Sequence, residues 1–213
     1  MKKTFMALFL LLATVAVFGQ GIQYPAGAYM SFEEIKQKSP SVSVELEVER
    51  RTNGDIKMNG GNDYRLSKSD NSIPKKSLKK DYYGYSDGDS LYINCIHYKI
   101  QSWYTPVLSD GKFLVIKGGI SMVPKIQKAQ LNNQVQLGHM FGAVGGAIQG
   151  AKLAMLRFIY IIDKESNQIT PVSSHLLKEL LSSSTDLLGQ YEAEKEHNDQ
   201  EVFIKYLKLL NEQ

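Results

Sequence analysis

From Val44 to Val48 the apolar side chains Val44, Leu46 and Val48 alternate with Glu45, Glu47 and Glu49. A period of two places the apolar groups on one face of a strand and the carboxylates on the other, the pattern of a half-buried strand. A glutamate row on a solvated strand face needs no cation to explain it. Upstream, Ser31 is followed three residues later by Glu34, a capping box that opens a helix. That helix must be short, because Pro40 pushes Ser39 out of the helical region.

Four turn signals follow, at Asn53-Gly54, Asn59-Gly60-Gly61, Ser86-Asp87-Gly88 and Ser109-Asp110-Gly111. Asn-Gly and Asp-Gly favour two-residue hairpin turns, whose central residues need positive φ. With β-branched and aromatic residues around them, residues 43–120 read as an antiparallel meander of about five to seven strands. Asp87 and Asp89 could begin a calcium loop, but further ligands at loop spacing are missing, so they read as turn residues. Between the hairpins, RLSKSDNSIPKKSLKK carries Arg65, Lys68, Lys75, Lys76, Lys79 and Lys80 and reads as a mobile, solvated loop, with contact to an acidic envelope polymer or lipid headgroups as its functional counterpart.

The stretch LGHMFGAVGGAIQGAKLAML places glycine at every fourth position, Gly138, Gly142, Gly146 and Gly150. On a helix this forms a groove that admits another backbone, as in membrane helix pairs. A helix from Leu137 to Leu156 would measure about 30 Å, barely a bilayer core, with Lys152 obliged to snorkel. The expectation is therefore a helix over residues 138–152 whose glycine face meets protein, either the sheet or a second copy, without spanning a bilayer. RFIYIID then reads as a strand buried on both faces. The tail is helical: Ser184 and the pair Asn198 and Glu201 are candidate caps, and Val202, Phe203, Tyr206, Leu207 and Leu210 recur at helical spacing.

The fold class is thus α+β, a mainly antiparallel sheet with a glycine-rich helix and a C-terminal layer of short helices. Residues 1–19 form a signal peptide, residues 20–162 the β-rich region, and residues 163–213 the helical layer of the same domain. Lys2 and Lys3 precede an uncharged run from Thr4 to Phe18, and Val17 and Gly19 are small residues placed for cleavage, leaving Gln20 as the first mature residue.

Charge adds two points. Loss of Lys2 and Lys3 from the 25 Lys and Arg leaves 23, against 22 Asp and Glu, which is no nucleic-acid footprint. The distribution is uneven: residues 163–213 hold 10 acids and 5 bases, residues 20–162 hold 12 acids and 18 bases. Cys95 is the single cysteine, so no intramolecular disulfide is available and stability must come from burial.

Candidate chemistry is sparse. Cys95 and His97 would share a face of a strand roughly 7 Å apart, too far for a direct hydrogen bond, so a hydrolase site is the weaker reading and a small core thiol the stronger. Tyr82, Tyr83, Tyr85, Tyr92, Tyr98, Trp103 and Tyr104 cluster closely enough to offer a ring platform for glycans, although tyrosine is also a good strand residue. His139, His175 and His197 are isolated in the sequence. Phosphate-loop, zinc-protease, nucleophile-elbow and paired-cysteine motifs do not occur, and neither a cofactor nor a metal is expected.

GAYMSFEEIKQKSPS, YGYSDGDSLYIN, FGAVGGAIQGA and KEHNDQEVFIKYLKLLNE, taken in order, resemble a family of uncharacterised secreted proteins from Bacteroidetes classed as a domain of unknown function. The resemblance spans nearly the whole mature chain and implies export into the periplasm or to the envelope of a Gram-negative cell. It implies no activity and carries no functional residues. The resulting expectation is a noncatalytic binding or structural protein, with self-association through the glycine-rich helix as its candidate partnership.

Overall fold

The computed structural model describes residues 24–136 and 146–213. The expected signal peptide, with Gly19 and Gln20 at its cleavage point, lies outside the described residues, as do His139, Gly138 and Gly142.

The strands are β1 (Gly27–Tyr29), β2 (Glu47–Arg50), β3 (Tyr64–Ser67), β4 (Gly84–Ser86), β5 (Leu91–Asn94), β6 (Tyr104–Asp110), β7 (Phe113–Gly118), β8 (Phe158–Asp163) and β9 (Ile169–Pro171). All pair antiparallel in the order β1-β4-β5-β6-β7-β8-β9, with β2 and β3 branching from β6. The branch has a chemical cause. β6 meets β3 at Tyr104 and β7 from Val107 onward. Pro106 lies between and has no N–H to donate, which suits the point where one ladder ends and the next begins.

Why the β7 and β8 sequences are continuously apolar is visible in the packing. Leu114, Ile116, Tyr160 and Ile162 point into one cluster with Tyr29, Ile35, Leu91 and Ile93. Phe113, Val115, Ile159 and Ile161 point the other way, onto Leu177, Leu181, Leu187, Tyr191, Phe203, Tyr206 and Leu207. Each strand alternates, but both faces are covered, so the expected doubly buried strand is present at β8.

The second cover is the C-terminal layer: α6 (Ser174–Leu181), α7 (Thr185–Glu192) and α8 (Gln200–Asn211). Leu177 with Leu181, and Leu187 with Tyr191, are spaced by one helical turn and fully packed. Fully burying a side chain of this size contributes about 1.5–3 kcal/mol, so this layer supplies much of the stability a disulfide-free chain needs. Two cap readings shift. Asp199, not Asn198, caps α8, accepting from Glu201 N at 2.7 Å. Ser184 occupies the α7 cap position without a side-chain bond.

Ser31 caps α1 (Phe32–Lys36) as expected, its hydroxyl accepting from Glu34 N. Ser86-Asp87-Gly88 and Ser109-Asp110-Gly111 connect β4 to β5 and β6 to β7, and Asp87 Oδ1 accepts from Asp89 N and Ser90 N, which is turn chemistry. Asn53-Gly54 is different. Thr52 Oγ1 accepts from Asp55 N and starts α2 (Asn53–Asn59), anchored by buried Ile56 and ended by Gly60 at φ 63. A local cap and an inward apolar residue override the hairpin signal, and the simple meander is broken there.

Three further helices complete the described chain. The lysine-rich segment is not all loop: Arg65 lies in β3, and Lys75–Lys80 form α3, held by buried Leu78. α4 (Pro124–Gln136) precedes the glycine stretch and α5 (Gly146–Met155) lies within it, so the expected helix over residues 138–152 is present from Gly146 onward and its earlier part falls outside the described residues. α5 packs against α2. Among the described residues no helix is long and apolar enough to cross a membrane.

Candidate functional site

The aromatic segment 82–104 does not form a platform. Tyr82, Tyr85, Tyr98, Trp103 and Tyr104 are all buried, and only Tyr83 and Tyr92 are half-exposed. The reason is cover from distant segments: Tyr98 packs into the cluster with Ile35, Ile93 and Leu114, while Tyr82, Tyr85, Trp103 and Tyr104 lie where Leu66 of β3 and Leu78 of α3 cover them. Tyr85 joins Leu46, Leu66 and Leu78 in a third cluster, and its hydroxyl both accepts from Leu46 N and donates to Leu46 O. Tyr104 donates to Leu78 O at 2.6 Å, and Tyr98 to Asn167 Oδ1 at 2.7 Å.

Cys95 and His97 are not on a strand. They belong to a 3₁₀ turn, Cys95–Tyr98, opened by the Asn94 side chain accepting from Ile96 N and closed by Lys99 at φ 53. The turn separates the two groups. Cys95 is fully buried, and burial pushes its thiol well above the ordinary range. His97 faces outward, with Nε2 3.1 Å from Tyr82 O and its ring stacked on Tyr83 at 4.4 Å. A protonated buried thiol with no imidazole facing it is no activated nucleophile.

Of the glycine row, Gly150 is exposed, and a Cβ built there meets nothing within 4 Å. Among the described residues, none therefore packs against the glycine face at that position. Gly146 begins α5. His175 is exposed with Glu179 3.7 Å away, and His197 packs edge-on against Tyr191. Among the described residues no group of three or more His, Cys, Asp or Glu could hold a metal ion.

What the sequence reading missed is a polar knot centred on Asn62, which is completely buried. Its backbone N–H donates to Ser102 O, its Nδ2 donates to Gln101 O and Ser102 O, and its Oδ1 accepts from Gly119 N at 2.7 Å. One amide thus ties β3 to the loop after the 3₁₀ turn and to the end of β7. Arg51, its side chain 1% exposed, donates to Asn62 O and Asp55, and holds the Asp55 carboxyl below the usual range. Gly61, at φ 96, passes so close that a Cβ would stand 2.7 Å from Arg51 Nη1 and 2.8 Å from Trp103 Cδ1. Gly60-Gly61 before a polar residue was the one sequence signal for this close approach.

The knot sets the position of Trp103, whose backbone is at φ 78, rare for a bulky residue. Over its ring lie the ammonium groups of Lys75 and Lys79, at 5.9 and 5.4 Å. Asn94 Nδ2 donates to Lys79 O, and Tyr104 to Leu78 O, so the sheet grips α3 by its carbonyls while the lysines face out. This lysine face above Trp103 is the most developed candidate surface among the described residues. A separate groove of about 470 Å³, lined by Ser43, Val44, Glu45, Leu46, Glu47, Lys68 and Ser69, opens where the chains leading into β2 and out of β3 diverge. Its lining carries both charge signs, Glu45 and Glu47 against Lys68.

No curated protein and no solved structure matches the chain. A family model described as a family of unknown function, DUF6563, matches residues 27–213, and the chain belongs to that family.

Proposed function

We propose that this protein is exported and acts as a noncatalytic binding or structural component of the periplasm or cell envelope of a Gram-negative bacterium. The observation that carries the noncatalytic half is the fate of Cys95 and His97: the thiol is sealed in the core and the imidazole is committed to Tyr82 O and the Tyr83 ring. Export is supported by the charged, apolar and small-residue order of residues 1–19 and by the resemblance to secreted proteins. Self-association through the glycine-rich helix belongs to the same reading, since no described residue comes within 4 Å of a Cβ built on Gly150.

Amino-terminal analysis of the chain recovered from a periplasmic fraction tests export: Gln20, free or cyclised, is the expected first residue, and intact Met1 in washed membranes would overturn it. The noncatalytic half is tested by Cys95→Ser and His97→Ala. An enzymatic activity abolished by either change in a protein that still folds would defeat that half.

A further inference from the structure

Helix α3 is built against its own electrostatics. Lys75 and Lys79, and Lys76 and Lys80, are like charges one turn apart, an arrangement that weakens a helix. Lys79 and Lys80 in the last turn suit the helix dipole, but Lys75 and Lys76 stand in the first turn, where the dipole favours acids, and no acid is there to compensate. None of the four ammonium groups has a carboxylate within 4 Å among the described residues; the nearest basic side chain in the segment, Lys68, is the one that Asp70 takes. The cap residue, Pro74, contributes no side-chain bond.

Tertiary contacts hold the helix in spite of this. Leu78 is buried, the Leu78 and Lys79 carbonyls are taken by Tyr104 and Asn94, and the ammonium groups of Lys75 and Lys79 lie over the Trp103 ring. A folded chain that breaks local rules and compensates from its core does so most often where it meets something else. Lys75, Lys76 and Lys80 are exposed and Lys79 half-exposed, and none of them lines the described groove. An exposed helix face with several ammonium groups complements an extended anionic surface better than a small molecule, which needs a concave site.

We propose that α3 is the contact face for an anionic phospholipid surface, with Lys75, Lys76, Lys79 and Lys80 meeting the headgroup phosphates and Trp103 bracing the helix from beneath. The inference deepens the envelope reading and rests on it for the membrane the helix meets. Binding is electrostatic and peripheral. It is therefore weak, salt-sensitive and additive in the lysines.

The test co-sediments the purified protein with vesicles of phosphatidylcholine containing phosphatidylglycerol, and with phosphatidylcholine alone. Lys76→Gln/Lys80→Gln removes two charges that do not touch Trp103, and Lys195→Gln/Lys208→Gln removes two exposed charges from the acidic C-terminal layer. Binding to the anionic vesicles alone, reduced about thirtyfold by the first pair, unchanged by the second and abolished by high salt, is the expected result. The melting temperature of Lys76→Gln/Lys80→Gln should stay level or rise, because like-charge repulsion is relieved; a purely structural role requires it to fall. Equal binding to neutral vesicles, equal loss in both pairs, or binding to soluble polyphosphate without binding to vesicles would each overturn the proposal. Those outcomes leave the identity of the amino terminus untouched, so the envelope reading fails or stands separately.

Discussion

The side chain of Asn211 takes both backbone groups of Phe113: Oδ1 accepts from Phe113 N at 3.1 Å and Nδ2 donates to Phe113 O at 2.9 Å. One amide near the end of α8 does what a neighbouring strand would do, and so locks the last helix to the β6–β7 hairpin. Nδ2 also donates to Ser109 Oγ across that hairpin. Replacing Asn211 by Ala should leave Phe113 N without its partner and lower stability by about 1–2 kcal/mol. Urea unfolding of the variant measures this; an unchanged midpoint would show that α8 is held by Phe203, Tyr206 and Leu207 alone.

The glycines divide into two kinds, and alanine should tell them apart. Gly150 in α5 and Gly189 in α7 have open space where a Cβ would stand. Alanine at either should stabilise the protein by up to about 1 kcal/mol through helix propensity. Gly111 lies against Asn211, with a built Cβ only 2.6 Å from its backbone oxygen. Gly111→Ala should therefore destabilise, and thermal melts of the three variants should move in opposite directions. For Gly150→Ala that gain is the monomer's; where the proposed self-association seats a second copy on that face, the same variant should lose oligomer size.

Cys95 should be chemically silent in the native protein. Its thiol is fully buried and its pKa is raised by burial, so both access and thiolate are lacking. Thiol reagents should label it only when denaturant is added, at a rate that follows global unfolding. Rapid native-state labelling at neutral pH would mean that the 3₁₀ turn opens locally.

Alkali should unfold the protein through its tyrosines. Burial, aided by Glu34, raises Tyr29 from about 10 to about 12, and burial raises Tyr24, Tyr98, Tyr104 and Tyr160 as well. These groups stay protonated in the folded chain at a pH where the unfolded chain already loses the proton. Their contribution is thus complete below pH 10 or so and declines as pH rises through about 12. Urea midpoints should hold level from neutral pH to the ordinary tyrosine range and then fall, with tyrosinate absorbance appearing late and cooperatively. A gradual tyrosinate signal with full native stability would contradict the burial of these rings.

Much of the frame was legible because its signals are local. The apolar run at Phe158–Asp163, the caps at Ser31 and near Asp199, the Ser-Asp-Gly hairpins and the helical spacing of Leu177, Leu181, Phe203 and Leu207 each report a period or a turn that the chain satisfies within a few residues. Together they determined an antiparallel sheet with a helical layer. They also carried the uneven charge, since the acidic tail became the outer layer of helices.

The tertiary structure alone decided which groups are available. Tyr and Trp residues crowd 82–104 in a pattern that fits either an exposed platform or covered rings, and only the arrival of Leu66 and Leu78 on one side and of Ile35 and Leu114 on the other buries most of them. Cys95 and His97 were parted by an asparagine cap and a left-handed Lys99, local features whose choice over a strand depends on Asn94 also reaching Lys79 O and Tyr82 O, 15 and 12 residues away. Asn62 and Arg51 carry no signal of their own in the sequence; they are buried because the loop through Ser102 and Gly119 after β7 converge on the segment leading into β3. A sequence pattern reports the free energy of one segment against water. Burial of a ring, satisfaction of an amide and isolation of a lysine are free energies between segments, fixed only when distant parts of the chain meet.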